Sequence, residues 1–369
     1  MWAYWLLFLV PAGIAFSPIK GDKNVQRVIW AIVGLLCILL IGLRYQVGGD
    51  WITYLWTLQE SQIESSLDMR NLTAGYLYVL LNHLAIQMGF GISQGIYFIN
   101  LFCGAITIVG LIKYCQKQPF PWIALTVAVP YLICIVAMGY SRQAVAIGFL
   151  LWGLSILRFG SEGKFIGLIL LGTLFHLSLI LTLPLVFCSG RKYFWWQYLL
   201  CGLFIFFGLF YLMSSTGVLD IYQIIIEYYI TSSKGSFAGA LIRVCMNVVP
   251  LFAAFFFWDK IKKISPDYKI IKWMAIAAFL TVPLLSFATT LIDRFALYLI
   301  PLQLALWSRL IAVQKTMLMR STWASMILAY YGLVLFVWFN FAIHAPLWLP
   351  YRMWPFTSET IYPPLYPFY

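Results

Sequence analysis

Within seven residues, Arg44 to Asp50, the chain places a guanidinium, two adjacent glycines (Gly48 and Gly49) and a carboxylate, with Tyr54 one helical turn further on. They stand at the end of an apolar run, Val33 to Leu43. An arginine fork matches phosphate or pyrophosphate oxygens two at a time. Paired glycines let the backbone turn tightly or approach a ligand closely, and a carboxylate beside them can orient a hydroxyl or take its proton. A plainer account also fits: a membrane-boundary turn in which Arg44 snorkels and Asp50 caps a helix.

Further polar groups interrupt apolar surroundings. Tyr140-Ser141-Arg142-Gln143 separates two apolar runs, and His176 sits in Thr173-Leu174-Phe175-His176-Leu177-Ser178. Arg243 breaks an otherwise apolar helix, and Asp293-Arg294 precedes Tyr298 by about one turn. Ionisable groups in membrane segments are rare and mark function by default. Each has a bland alternative: Arg142 snorkelling, His176 bonded to a backbone carbonyl, Asp293 and Arg294 capping a boundary. As sequence neighbours, Asp293 and Arg294 cannot face each other on one helix, though either can pair elsewhere. The number of guanidiniums tips the balance. Arg44, Arg142, Arg243 and Arg294 have few acids nearby, which leaves charge for an anionic ligand.

These groups need a membrane frame to hold them. The 369 residues are 63% hydrophobic, with 16 tryptophans, and mean hydropathy is +0.90. A soluble domain with that surface would aggregate, so the expected fold class is all-α: a polytopic integral membrane helix bundle. The net charge of +12 does not indicate nucleic acid, because many basic residues fall in short loops between apolar runs. There they set orientation and meet anionic head groups. The seven cysteines form no CxxC pair and read as buried small hydrophobes. Residues 1–17 lack a basic start and a small-x-small cleavage site, so they read as a retained first helix.

Apolar windows fall near 2–17, 26–43, 73–89, 93–112, 120–139, 143–158, 164–188, 194–213, 238–258, 271–292, 295–313 and 322–343. They predict about ten to twelve membrane helices, re-entrant segments included, in one transmembrane domain over residues 1–369. Six basic loops go to the cytoplasm, among them Lys113/Lys117, Arg158/Lys164, Arg191/Lys192, the lysines of 260–272, and Arg309/Lys315/Arg320. The termini, 44–72, 138–142, 214–237 and 290–294 are then extracytoplasmic. Strict alternation fails twice, and the simplest repair has two parts. One is a re-entrant or interfacial element at 73–89, broken at Gly89 and Gly91. The other is a hairpin in 164–188 turning near His176. Irregular backbone at that depth must be buried in protein or line a wet cavity, so the anomaly predicts a cavity open to the outside; the rival account is that one short basic loop disobeys the orientation rule. The aromatic tail, from Trp348-Leu349-Pro350-Tyr351-Arg352 to Tyr369, reads as an interfacial collar.

Soluble-enzyme signatures are missing from the sequence: it has no G-x-S-x-G, no H-E-x-x-H and no P-loop. Its three histidines, His83, His176 and His344, are too scattered for a zinc site. Neither metal nor other cofactor is expected.

Taken in order, Arg44-Tyr-Gln-Val-Gly-Gly-Asp50-x-x-x-Tyr54, Ser141-Arg142-Gln143-x-x-Ala146, Phe175-His176-x-Ser178 and Asp293-Arg294-Phe295-x-x-Tyr298 resemble the EpsG-like branch of the Wzy-type polysaccharide polymerases. The resemblance implies a bacterial inner-membrane glycosyltransferase that joins repeat units of O-antigen, capsule or exopolysaccharide. Donor and acceptor are undecaprenyl-pyrophosphate-linked oligosaccharides handled at the periplasmic face, and a flippase and a chain-length regulator are the expected partners. An O-antigen ligase, and a flippase or transporter of the same lipids, are the competing readings.

On this reading a base takes the acceptor proton while cations stabilise the departing pyrophosphate. His176 is the favoured base, since an unperturbed imidazole with a pKa of about 6.5 is largely neutral at periplasmic pH. Asp50 is the second candidate, suited to orienting the acceptor or holding Arg44. Arg142 is the pyrophosphate clamp. Arg44, Gly49, Tyr54, Gln143, Arg243, Asp293, Arg294 and Tyr298 are the substrate-binding candidates.

Overall fold

The computed structural model describes residues 1–17, 23–63, 75–215, 233–287 and 289–357. About 80% of it is helical, in fifteen α-helices with one π and two 3₁₀ segments, and there is no strand among the described residues. A backbone in hydrocarbon must satisfy its own polar groups, and a chain this apolar does so by coiling. In chain order the helices are α1 (Trp2–Phe16), α2 (Lys23–Gly42), α3 (Trp51–Ile63), α4 (Tyr76–Gln87) and α5 (Ile92–Cys115). Next come α6 (Pro121–Ala128), a π-helical continuation (Val129–Ala137), α7 (Ser141–Ile156), α8 (Glu162–Thr173), a 3₁₀ helix (Leu177–Cys188) and α9 (Trp195–Ser215). The chain ends with α10 (Ser233–Phe255), α11 (Trp258–Ile264), α12 (Tyr268–Leu284), α13 (Thr289–Leu297), α14 (Ile300–Ala312) and α15 (Met317–Phe341).

Four stretches are long and apolar enough to cross a membrane alone: α2, α5, Ile292–Ala312 and α15. A fifth forms if α10 and α11, bent by 95° at their junction, count as one span. Other windows expected to cross are shorter apolar helices, such as Pro121–Ala137 and Ser141–Ile156. The chain is a multi-pass membrane protein. Of the loops expected outside the membrane, 44–72 contains α3, while 64–74 and 216–232 lie outside the described residues.

The expected reversal near His176 is present. Ser189, just past the 3₁₀ helix, donates to the Glu162 carboxylate at the start of α8 across 3.0 Å, so the chain doubles back between Thr173 and Leu177. Neither leg reaches across roughly 30 Å of hydrocarbon: twelve residues span about 18 Å as α-helix and about 24 Å as 3₁₀ helix. The Leu174 carbonyl, freed at the tip, accepts from Leu77 N at the start of α4 (3.1 Å). Helix α4 then turns at Gly89, whose φ of +82° is left-handed, and α5 runs back beside it, with Gly95 against Ala85.

Helices α5 and α7 approach closely because glycines face across the contact. A Cβ on Gly110 would collide with the Gly148 carbonyl, and one on Gly148 would lie 2.7 Å from the Thr107 Cα. Small residues at such crossings let backbones pack where lipid gives no hydrophobic drive. Gly148→Leu is therefore expected to lower the melting temperature of the detergent-purified protein, by overpacking of at least about 1–3 kcal/mol. Gly167→Leu, where a Cβ meets nothing within 4 Å, is expected to melt like wild type. Equal melting of the two variants would refute the close-packed α5–α7 seam.

Candidate active site

The loop 43–50 is shaped from inside by Arg44. Its side chain is fully buried and bonds to protein throughout. It donates to the Ile41 carbonyl at 2.5 Å, the Val47 carbonyl at 3.1 Å, Asn100 Oδ1 at 3.0 Å and Ser141 Oγ at 2.9 Å. Gly48, at φ +112°, passes where a Cβ would strike the Met138 carbonyl. The loop also pairs with the C-terminal segment: Tyr45 N donates to Arg352 O (3.0 Å), Gly48 N to Leu347 O (2.9 Å) and Trp354 N to Leu43 O (2.9 Å). Asp50 N donates to Gly139 O across 3.3 Å, which sets the carboxylate at the start of α3.

The opposite wall follows from a proline. Pro130 cannot supply a backbone N–H, and the helix loosens into π geometry over Val129–Ala137. The Trp348 indole donates to the Cys134 carbonyl there (2.8 Å). The π segment delivers Tyr140, after which α7 presents Arg142 and Gln143. Such segments recur where a helix must re-aim side chains.

Together these elements enclose a cavity of about 220 Å³ lined by Asp50, Tyr54, Tyr140, Arg142, Gln143, His176, Arg243, Asp293, Arg294 and Leu297. The Arg142 guanidinium lies 6.0 Å from the centres of both the Tyr54 and Tyr78 rings, and two aromatic faces fix a planar cation in place. Arg243 forms an ion pair with Asp293 and donates to Tyr131 Oη at 2.8 Å. Gln143 Nε2 donates to the Arg294 carbonyl at 3.1 Å, which ties α7 to α13. The Arg294 side chain is exposed. Burial raises the Asp50 carboxyl from its ordinary value, while Arg142, Arg294 and a hydrogen bond from Tyr54 pull partly the other way. With Arg243 and Asp293 paired, Arg142, Arg294 and Asp50 are the other charged side chains in the lining.

His176 sits at the hairpin tip in a three-way cluster. Its Nδ1 is 2.7 Å from Ser178 Oγ and 3.0 Å from Tyr298 Oη, and the two hydroxyls are 2.9 Å apart. Tyr298 is 1% exposed, so its proton goes to Ser178 or to the imidazole. A proton on Nδ1 would force one of the two hydroxyl hydrogens to point out of the cluster. An Nδ1 lone pair satisfies all three groups at once. The network thus favours the tautomer protonated on Nε2, in which the free edge of the ring is a donor.

The structure therefore gathers Asp50, Tyr54, Arg142, Gln143, His176, Arg243, Asp293 and Arg294 into one place and corrects several expectations. Arg44 stands outside the cavity. Its guanidinium is used by protein oxygens, and no carboxylate partners it, so it does not grip a ligand and Asp50 does not hold it. Gly49 is exposed beside Trp348 and Tyr140, not in the lining. Tyr298 lies behind His176. The segment through Tyr351 is no collar, since Trp348 and Tyr351 are 1% and 8% exposed; residues 358–369 lie outside the described residues. Sequence reasoning gave no role to Tyr140, Tyr131 or Asn100. Asn100 carried a signal, as a lone amide in an apolar run; a tyrosine in a chain holding 23 of them does not.

An all-α multi-pass membrane protein with an arginine-rich polar cavity is the class that fold and site define. The model of the EpsG family matches residues 27–353, and the chain belongs to that family, which places it among membrane proteins of polysaccharide biosynthesis. Neither a curated protein nor a solved structure matches it.

Arg44→Ala is expected to lose about 3 kcal/mol or more, because it strands buried acceptors. Arg294→Gln, at an exposed side chain, is expected to keep the wild-type melting temperature. Thermal melts in detergent check both, and a fully stable Arg44→Ala protein would remove Arg44 from its structural role.

Proposed function

We propose that the chain is a polysaccharide polymerase that transfers a glycan from undecaprenyl pyrophosphate to the terminal hydroxyl of another lipid-linked repeat unit. The reaction takes place at the periplasmic face of the bacterial inner membrane, and the six basic loops are cytoplasmic. One observation carries this reading: Arg142 and Arg294 face a half-buried Asp50 in a single cavity lined by the ordered family motifs. Pyrophosphate brings more negative charge than the cavity's own carboxylate and matches two guanidinium forks.

In the proposed step, Asp50 takes the acceptor hydroxyl proton as the new glycosidic C–O bond forms. The anomeric C–O bond to pyrophosphate breaks, and its electron pair leaves with the phosphate oxygen. Arg142, steadied by Tyr54 and Tyr78, and Arg294 stabilise the charge that develops there. His176 contributes an Nε2–H donor to the same oxygens. The hydrogen-bond pattern supports the reverse of the order favoured by sequence, with Asp50 as the base and the imidazole as a donor oriented by Ser178 and Tyr298.

Polymerisation by purified protein of confirmed fold separates the roles. Asp50→Asn is expected to lower turnover by about 10²–10⁴-fold, whereas His176→Gln, which keeps an N–H donor, retains measurable turnover. The opposite ranking would restore His176 as base. Because burial raises the Asp50 carboxyl and the base must be ionised, kcat/KM is expected to fall, as pH drops, at a higher pH than for a free carboxylate. An acid limb at or below the pH of a free aspartate would count against Asp50.

Arg142→Lys keeps the charge but loses the planar fork. It is expected to cost about 10²-fold in kcat with little change in melting temperature. Wild-type polymer length from cells carrying Arg142→Ala would remove the clamp.

A further inference from the structure

A second cavity, of about 550 Å³, lies at the other end of the same helices. Helix α7 starts beside the first cavity, and its last turn, with Ser155 and Ile156, lines the second; sixteen residues of α-helix separate them by about 24 Å. Helix α5 links the same two levels, from Asn100 beside Arg44 to Tyr114 in the second wall.

Five of the six basic loops converge here. Lys117, Arg158 and Lys164 contribute exposed cations. Ser189, next to Arg191 and Lys192, and Asp267, in the lysine-rich stretch, contribute wall. Arg309 lies inside at 3% exposure and Gln118 at 4%. Arg309 Nη2 contacts both Asp267 carboxylate oxygens, at 2.8 and 2.9 Å, so that pair cancels and three cations remain without a lining carboxylate.

Among the described residues, three buried atoms in this wall have no hydrogen-bond partner: Arg309 Nη1, Gln118 Oε1 and Asp267 Oδ1, of which Asp267 Oδ1 is held in the Arg309 ion pair. The other end of the Gln118 amide is engaged, Nε2 donating to the Tyr114 carbonyl at 3.2 Å. Setting membrane orientation accounts for basic loops in general, but it requires neither a cavity this large nor a guanidinium nitrogen buried inside it without an acceptor. A volume in this range holds a ligand the size of a lipid head group or a small phosphate ester.

We infer that this cavity is a second anion site, distinct from the proposed active site. Its ligand is a phosphate with a neighbouring hydroxyl or amine. The phosphate oxygens accept from Arg309 Nη1 and the ring of Lys117, Arg158 and Lys164, and the hydroxyl or amine donates to Gln118 Oε1. An anionic phospholipid head group and a soluble phosphate ester share this chemistry.

Thermal melts of detergent-purified protein test the site and its source. Three additions are compared: phosphatidylglycerol in mixed micelles, glycerol 3-phosphate, and phosphatidylcholine as the uncharged control. A rise in melting temperature with phosphatidylglycerol alone assigns a lipid head group; a rise with glycerol 3-phosphate as well assigns a soluble phosphate ester. In either case the half-saturating concentration is expected to climb about tenfold in the K117Q/R158Q/K164Q protein, whose substitutions are at exposed positions, and to stay unchanged in R294Q of the first cavity. No rise with either anion, a rise equal to that with phosphatidylcholine, or a rise that survives in the triple variant overturns the inference.

Discussion

A guanidinium sealed from water has to meet protein oxygen in the directions its N–H groups point, or the fold forfeits several kilocalories. Arg44 meets that demand with the carbonyl of Ile41 at the end of α2, the carbonyl of Val47 on its own loop, Asn100 on α5 and Ser141 on α7. Val47 belongs to the loop that carries Asp50, and Ser141 to the helix that carries Arg142. Satisfying one cation therefore fixes the relative placement of a carboxylate and a second cation that have no direct bond to it. The buried arginine builds the site without entering it.

The constraint passes outward through backbone. Gly48 presses against the Met138 carbonyl, where no side chain fits, and Met138 follows the π segment opened at Pro130. Trp348 takes the Cys134 carbonyl of that segment and stacks edge-on against Trp338 of α15. The C-terminal strap thus binds the loop, the loosened helix and the last membrane helix into one unit. Interiors packed to this density hold geometry closely, which a site depending on the placement of two guanidiniums requires.

Charge is sorted along the bundle axis. At one end Arg243 and Asp293 neutralise each other, leaving Arg142 and Arg294 to face Asp50. At the other, Arg309 and Asp267 do the same within a wider basic wall. In each cavity an internal ion pair holds helices together while further cations line the wall. Low dielectric around such a site strengthens its pull on an anion.

Much of this was legible from residue order. The apolar windows gave the helices, because hydrocarbon leaves a backbone no other way to satisfy its polar groups. Ionisable groups stranded in apolar runs gave most of the cavity, because their desolvation has to be compensated by some partner. Even the reversal near His176 followed from the distribution of basic loops. Sequence could not say which guanidinium serves the fold and which faces the cavity. Arg44 and Arg142 look alike in one dimension, and only three-dimensional packing sets Asn100 and Ser141 around the first and two tyrosine rings beside the second. The proton on His176 was hidden for the same reason: its position depends on Tyr298, 122 residues away and in contact only in the folded chain. Identity along the chain fixes what each side chain is able to do, and the partners that decide what it does arrive only with tertiary structure.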